Sequence, residues 1–158
     1  MAEGDPLLVT FEQVAAAAGV SRALVHAYLG DRRGLIDAVQ VRIVGRLDAW
    51  VGHGLARAEG PDEVLAAIVH GVFSFVDTER DGWSVLAASG GFDHPAFHGV
   101  RGRWSAAMSA ADDPSDPAAL AAVTALLGAV GTWSNRGVEP ATVISLLARL
   151  LVSAPPEP

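Results

Sequence analysis

Residues 11–29, FEQVAAAAGVSRALVHAYL, decide the fold of this chain. They predict two short helices joined by a tight turn, because Gly19 can adopt a left-handed backbone conformation and Ser21 can cap the helix that follows. Two helices joined in this way form a helix-turn-helix motif. In such motifs the outer face of the second helix can enter the major groove of DNA.

The apolar residues of this stretch are expected to face inward and the polar residues to face outward. The expected inward residues are Val14, Ala15, Ala18, Val20, Leu24, Val25 and Tyr28. The expected residues on or near the outer face are Arg22, Ala23, His26 and Ala27.

Residues 18–39, AGVSRALVHAYLGDRRGLIDAV, resemble the head of TetR-family transcriptional regulators almost position by position. The resemblance implies a homodimeric regulator, usually a repressor, that binds palindromic operator DNA and leaves it when a small, often hydrophobic effector binds. It also implies a DNA-binding role for the second helix of the motif and for the basic residue that opens the next helix, where this chain has arginine and the family usually has lysine. The residues at those positions are Ser21, Arg22, Ala23, His26, Tyr28 and Arg32.

The chain departs from the family pattern before the motif. The family places a helix of its own there, whereas ten residues precede Phe11 in this sequence. We therefore expect a head that is truncated at its N-terminus and that covers Val14, Val25 and Leu29 less completely. A dimeric small-molecule-binding module that has lost DNA binding is the alternative that this departure leaves open.

The composition favours an all-α protein. Of the 158 residues, 51% are hydrophobic and 18% charged, which argues against disorder, and Ala and Leu are abundant. The chain has no cysteine, which excludes disulfides, thiolate metal sites and cysteine nucleophiles. Its first residues lack the basic start and apolar run of a secretory signal, so we expect a cytoplasmic protein.

Charge divides the chain into two predicted domains, a head over residues 1–47 and a helical body over residues 48–158. The head contains five arginines and five acidic residues, so the body carries the whole net charge of -7. An acidic body would repel nucleic acid, whereas the head would not.

Three prolines preceded or followed by acidic residues mark helix starts in the body: Pro61, Pro117 and Pro140. The last two helices, 117–135 and 139–152, are apolar over much of their circumference. We expect them to pair with the same helices of a second copy as a four-helix bundle, with no membrane span, although they could instead form the core of a monomer. Along one side the first of them aligns small residues, namely Ala121, Ala125, Gly128 or Ala129, and Thr132.

TetR-like proteins keep a cavity for a small effector inside the body, so the resemblance implies that some of the large residues there line such a cavity, with apolar walls and a few polar groups. Some of these residues must be plain core. The candidates for effector binding, with His70 as the polar group, are His70, Phe73, Trp83, Trp104 and Met108.

His94 and His98 raise a third possibility, a small helical metal-binding protein or enzyme. We expect no metal and no cofactor there, because Pro95 favours a helix start and no third ligand is specified. The sequence also lacks a nucleophile elbow and a phosphate-binding glycine loop, so we expect no enzymatic activity.

Overall fold

The structure, a computed structural model, describes residues 10–109 and 116–152. Within these ranges it contains α-helices, one 3₁₀ turn and no strand, which confirms the predicted all-α class. The expectation about the residues before the helix-turn-helix falls on residues 1–9, which lie outside the described residues. The helices are α1 (Phe11–Ala18), α2 (Arg22–Leu29), α3 (Arg32–Leu55), α4 (Pro61–Thr78), α5 (Arg80–Ala88), α6 (Pro95–Met108), α7 (Pro117–Asn135) and α8 (Pro140–Val152), with the 3₁₀ turn Gly91–Asp93 between α5 and α6.

The predicted helix-turn-helix is present in α1 and α2. A capping box formed by Thr10 and Gln13 begins α1. Gly19 ends that helix with φ of 66°, the left-handed conformation that glycine adopts without a steric penalty. The Ser21 side chain accepts a hydrogen bond from the backbone N–H of Leu24 at 3.2 Å and so caps α2.

The core of this motif is smaller than predicted. Ala15 and Val25 are buried, but Leu24 is 43% exposed and Tyr28 is 81% exposed. Ala18 and Val20 are exposed as well, so the expectation that these four residues face inward was wrong. Helix α2 packs on α1 and α3, and Val25 is the residue of α2 that this packing buries.

Helix α3 connects the head to the body without a break. Its first turns bury Leu35, and its second half buries Val44, Leu47 and Val51 in the core of the body. The predicted boundary at residue 47 therefore falls inside a continuous helix of 24 residues.

The body core forms around α4, which packs against α3, α6, α7 and α8. Helix α4 begins at Pro61, as predicted, and buries one long apolar face. The buried residues of this face are Leu65, Ile68, Val69, Val72, Phe73, Phe75 and Val76.

Helices α7 and α8 begin at Pro117 and Pro140, as predicted, and each has one buried face and one exposed face. The inner face of α7 packs on α4 and α6. The predicted line of small residues lies on its outer side, where Ala121, Ala125, Gly128 and Thr132 are exposed. By length and composition alone α7 could cross a membrane, but a third of it is buried within the fold.

The close approach of α3 and α4 depends on Gly71. A Cβ added there would lie 2.9 Å from Cγ2 and 3.1 Å from Cα of Val51. We predict that Gly71→Ala lowers the free energy of unfolding by about 2 kcal/mol, because the helices must separate to admit the methyl group. Urea denaturation followed by circular dichroism measures this change.

Gly45→Ala provides the matched control for that substitution. Gly45 lies on the exposed side of α3 with no atom within 4 Å of an added Cβ. Because alanine favours a helix over glycine by about 1 kcal/mol, this variant should be more stable than the unsubstituted protein. Equal effects of the two substitutions would contradict the packing described for α3 and α4.

Candidate nucleic-acid interface

Helix α2 presents its polar residues to solvent at the end of the molecule formed by the head. Arg22, Ala23 and His26 are all exposed, and Tyr28 extends into solvent near the C-terminal end of the helix. The residues predicted to contact DNA are thus accessible on this helix. Ser21 caps α2 as an acceptor, so its O–H remains available to donate a hydrogen bond to an acceptor such as a phosphate oxygen.

Arg32 opens α3 one short turn after α2 ends. Asp31 caps α3 by accepting a hydrogen bond from the Gly34 backbone N–H at 3.0 Å. The side chains of Arg32 and Arg33 are exposed, and within the described residues neither forms an ion pair. An unpaired guanidinium at a surface is well suited to bind phosphate.

Arg22 differs from Arg32 because it is already paired within the head. Its Nη1 lies 2.5 Å from Oε1 of Glu12 on α1. Glu12 was not predicted as a functional residue, because its approach to Arg22 depends on the angle between α1 and α2 and not on the spacing of the two residues in the sequence.

His26 is held on two sides. Its ring stacks on Phe11 with centroids 4.1 Å apart and the planes 6° from parallel. Its Nδ1 lies 3.0 Å from the carbonyl oxygen of Gly30, and Nε2 lies 3.5 Å from Nε of Arg22. With Nδ1–H donating to the carbonyl, Nε2 of a neutral ring is left as the acceptor that faces Arg22.

Two hydrogen-bonded contacts join the head end of α3 to the body. Asp37 Oδ1 lies 2.8 Å from Nε2 of His94, and Gln40 Nε2 donates to the Ser89 hydroxyl at 2.8 Å and to its carbonyl at 3.1 Å. An open cavity of about 960 Å³ lies beside these contacts, between the start of α3 and the start of α6. Gln40 is the residue that sequence reasoning missed here, and its only signal was a polar side chain on a face that is otherwise apolar.

Both ring nitrogens of His94 are engaged in this junction. Nδ1 accepts a hydrogen bond from the Ala96 backbone N–H at 3.1 Å and so caps α6, which begins at Pro95 as predicted. Among the described residues, no group of three or more His, Asp or Glu side chains could hold a metal ion. His98 lies one turn into α6 and is exposed.

The residues considered for effector binding fall into two groups. Phe73, Trp83, Trp104 and Met108 are buried in one hydrophobic core, whereas His70 is exposed on α4. The Trp104 indole N–H donates to Asp48 at 3.1 Å, and the other carboxylate oxygen of Asp48 accepts from Arg103 at 2.5 Å.

A helix-turn-helix head followed by an all-helical body is the architecture of TetR-type regulators. A solved structure of a TetR-like transcriptional regulator from Rhodococcus sp. RHA1 shares this fold with a TM-score of 0.62 and 19% sequence identity. The similarity covers 92% of this chain and 83% of that chain. The chain therefore has the TetR-like fold.

A sequence relative is also a transcriptional regulator. The HTH-type transcriptional regulator BetI of Agrobacterium fabrum is 41% identical to this chain over 64 residues, which are 40% of this chain and 31% of that protein. The match thus spans less than a third of the relative's length. No family model matches the chain. Residues 18–39 resemble the head of TetR-type regulators, and the two similar proteins together confirm this resemblance.

The hydrogen bond from the buried indole of Trp104 to Asp48 joins α6 to α3, and substitution of Asp48 tests its contribution to stability. We predict that Asp48→Ala lowers the free energy of unfolding by about 2 kcal/mol, because it leaves the Trp104 N–H without an acceptor in the core. Asp48→Asn keeps an acceptor oxygen and should cost less. Urea denaturation followed by tryptophan fluorescence measures both variants.

Arg103→Ala is the control for the ion-pair part of that effect. The Arg103 side chain is mostly exposed, so loss of its pair with Asp48 should cost under about 1 kcal/mol. A cost for Arg103→Ala equal to that for Asp48→Ala would assign the stabilisation to the ion pair and contradict the role given to the indole.

Proposed function

We propose that the chain is a homodimeric cytoplasmic transcriptional regulator, without enzymatic activity, that binds palindromic operator DNA through α2 and leaves it when a small hydrophobic effector binds the body. The observation that carries the proposal has two parts. Helix α2 is exposed and capped, and Arg32, which forms no ion pair among the described residues, opens the next helix three residues after α2 ends. Repression is the more frequent outcome in this family and is the mode proposed here.

The dimensions of α2 suit a major groove. Its eight residues give a rod about 12 Å long, and a major groove about 12 Å wide admits an α-helix. Arg22, Ala23 and His26 would face the base edges, while Tyr28 and Arg32 would contact the phosphate backbone. The TetR-like fold supports this assignment by analogy.

The outer faces of α7 and α8 support the dimer. Leu120 on α7 and Leu146 and Leu150 on α8 are large apolar residues that are exposed, Leu150 by 53%. A second copy that covers them would remove this surface from water and form a four-helix bundle with small residues at its centre. Twofold symmetry would then place the two heads to meet successive major grooves, which lie about 34 Å apart.

The effector part of the proposal rests on the large apolar residues of the body. Met108 lines a cavity of about 260 Å³ together with Leu65 and Leu151, and Phe73, Trp83 and Trp104 lie in the same core. A hydrophobic molecule that enlarges this cavity would favour one body conformation over another and so shift the spacing of the heads. His70 would contribute only if α4 turned to bring it inward.

Substitution of Arg32 tests the DNA-binding part. A duplex is first enriched from a random library with the unsubstituted protein, and its affinity is measured by fluorescence anisotropy at several salt concentrations. We predict that Arg32→Ala weakens binding about tenfold and lowers the slope of log affinity against log salt by about 0.9 per head, because one phosphate contact is lost.

Arg57→Ala is the matched control, since it removes the same charge just beyond the opposite end of α3, about 35 Å from Arg32. It should leave both the affinity and the salt slope unchanged. A stable dimer that enriches no duplex at low salt would contradict the DNA-binding function and would favour a binding module without DNA affinity.

A charge placed on the outer face of α8 tests the dimer. We predict that Leu150→Asp converts the dimer to a monomer in sedimentation velocity measurements, because a carboxylate buried between two copies would lose its hydration. Val41→Asp, at a residue of α3 that is 47% exposed, is the control and should remain dimeric. An unsubstituted protein that sediments as a monomer would contradict the proposed interface.

A further inference from the structure

We infer that Glu12 is a specificity-determining residue that acts on DNA through Arg22, an inference that rests on the proposed DNA-binding function. Glu12 lies on α1, outside the helix that would enter the groove, and its carboxylate is bonded to the guanidinium of Arg22. The pair keeps Arg22 from acting as a free cation toward any phosphate within reach.

The contacts hold Arg22 at two points along its side chain. Nη1 bonds Glu12 at 2.5 Å, and Nε lies 3.5 Å from Nε2 of His26. His26 is itself fixed by the stack with Phe11 and by its bond to the Gly30 carbonyl. Two residues of α1 thereby set the position of two residues on α2.

The pair is exposed and therefore exchangeable. The side chains of Arg22 and Glu12 are 61% and 59% exposed, and an ion pair in such a position stabilises weakly. A ligand that offers Arg22 a better partner can displace Glu12, whereas one that offers only a distant charge cannot.

A guanine edge and a phosphate differ in how well they can replace Glu12 as the partner of Arg22. A guanine edge offers Arg22 two acceptors in bidentate geometry, which is among the stronger contacts available to arginine. A phosphate on a non-matching duplex offers attraction that every sequence supplies equally and that the Glu12 carboxylate opposes. Glu12 therefore penalises non-matching DNA more than matching DNA, which is specificity obtained by weakening the wrong complex.

The experiment compares Glu12→Gln with the unsubstituted protein on two duplexes, the one enriched from a random library and a scrambled version of it. The amide keeps the shape of the side chain but removes its charge, so Arg22 is released. We expect affinity for the scrambled duplex to rise roughly threefold per head, with a salt slope steeper by about 0.9, and affinity for the enriched duplex to rise less. The preference for the enriched duplex therefore falls.

A double-mutant cycle with Arg22→Ala separates action through Arg22 from direct repulsion between Glu12 and phosphate. If Glu12 acts through Arg22, Glu12→Gln has no effect on either duplex in the Arg22→Ala background. An equal gain in affinity in both backgrounds would overturn the inference, as would an unchanged preference in Glu12→Gln.

The failure of this inference is distinguishable from failure of the proposed function. An unsubstituted protein that enriches no duplex overturns the proposed function and this inference with it. One that enriches a duplex but shows no coupling between residues 12 and 22 overturns the inference alone. Because both side chains are exposed, unchanged thermal unfolding of each variant is expected and serves as the check on folding.

Discussion

The packing of α3 against α4 is the contact on which the rest of the structure depends. At this crossing Val51 lies against Gly71, and Gly54 lies against Ala67, where an added Cβ would be 3.1 Å from the alanine methyl. The N-terminal end of α3 packs equally closely against the end of α2, since an added Cβ on Gly34 would meet the carbonyl oxygen of Leu29. One continuous helix thus belongs to two packed units, and the orientation of α2 follows from how α3 sits in the body.

In the proposed regulator, this arrangement would couple effector binding in the body to the position of the head. The two hydrogen-bonded contacts at the junction, Asp37 with His94 and Gln40 with Ser89, bind the head end of α3 to the region where α5 ends and α6 begins. A change in the body that moves the start of α6 acts on α3 through these contacts. Because α2 packs on α3, a small rotation of α3 would change the distance between the two heads of the proposed dimer.

The sequence predicted the features of this fold that are set by local chemistry. Gly19, Pro61 and Pro117 mark boundaries because the backbone preference of each residue operates within its own turn. The burial of Leu24 and Tyr28 was predicted wrongly, because side-chain burial depends on the angle at which neighbouring helices cross. The pair formed by Glu12 and Arg22 was not predicted for the same reason. The outward-facing residues of α2 were predicted from the apolar and polar pattern and their DNA-binding roles from the resemblance, whereas their contacts with one another came only from the structure.

The arginines of the head fall into two groups, those held in ion pairs and those that form none among the described residues. Arg22 is paired with Glu12, and Arg46 is paired with Glu79, so neither contributes a free cation. Within the described residues, the remaining arginines of the head form no ion pair, and all of them lie on α3: Arg32, Arg33 and Arg42. In the proposed complex with DNA, attraction to phosphate would therefore concentrate on α3, while α2, the helix proposed to enter the groove, would be nearly neutral. In a head whose net charge is zero, this separation would let affinity for the proposed operator come from α3 and discrimination between sequences come from α2.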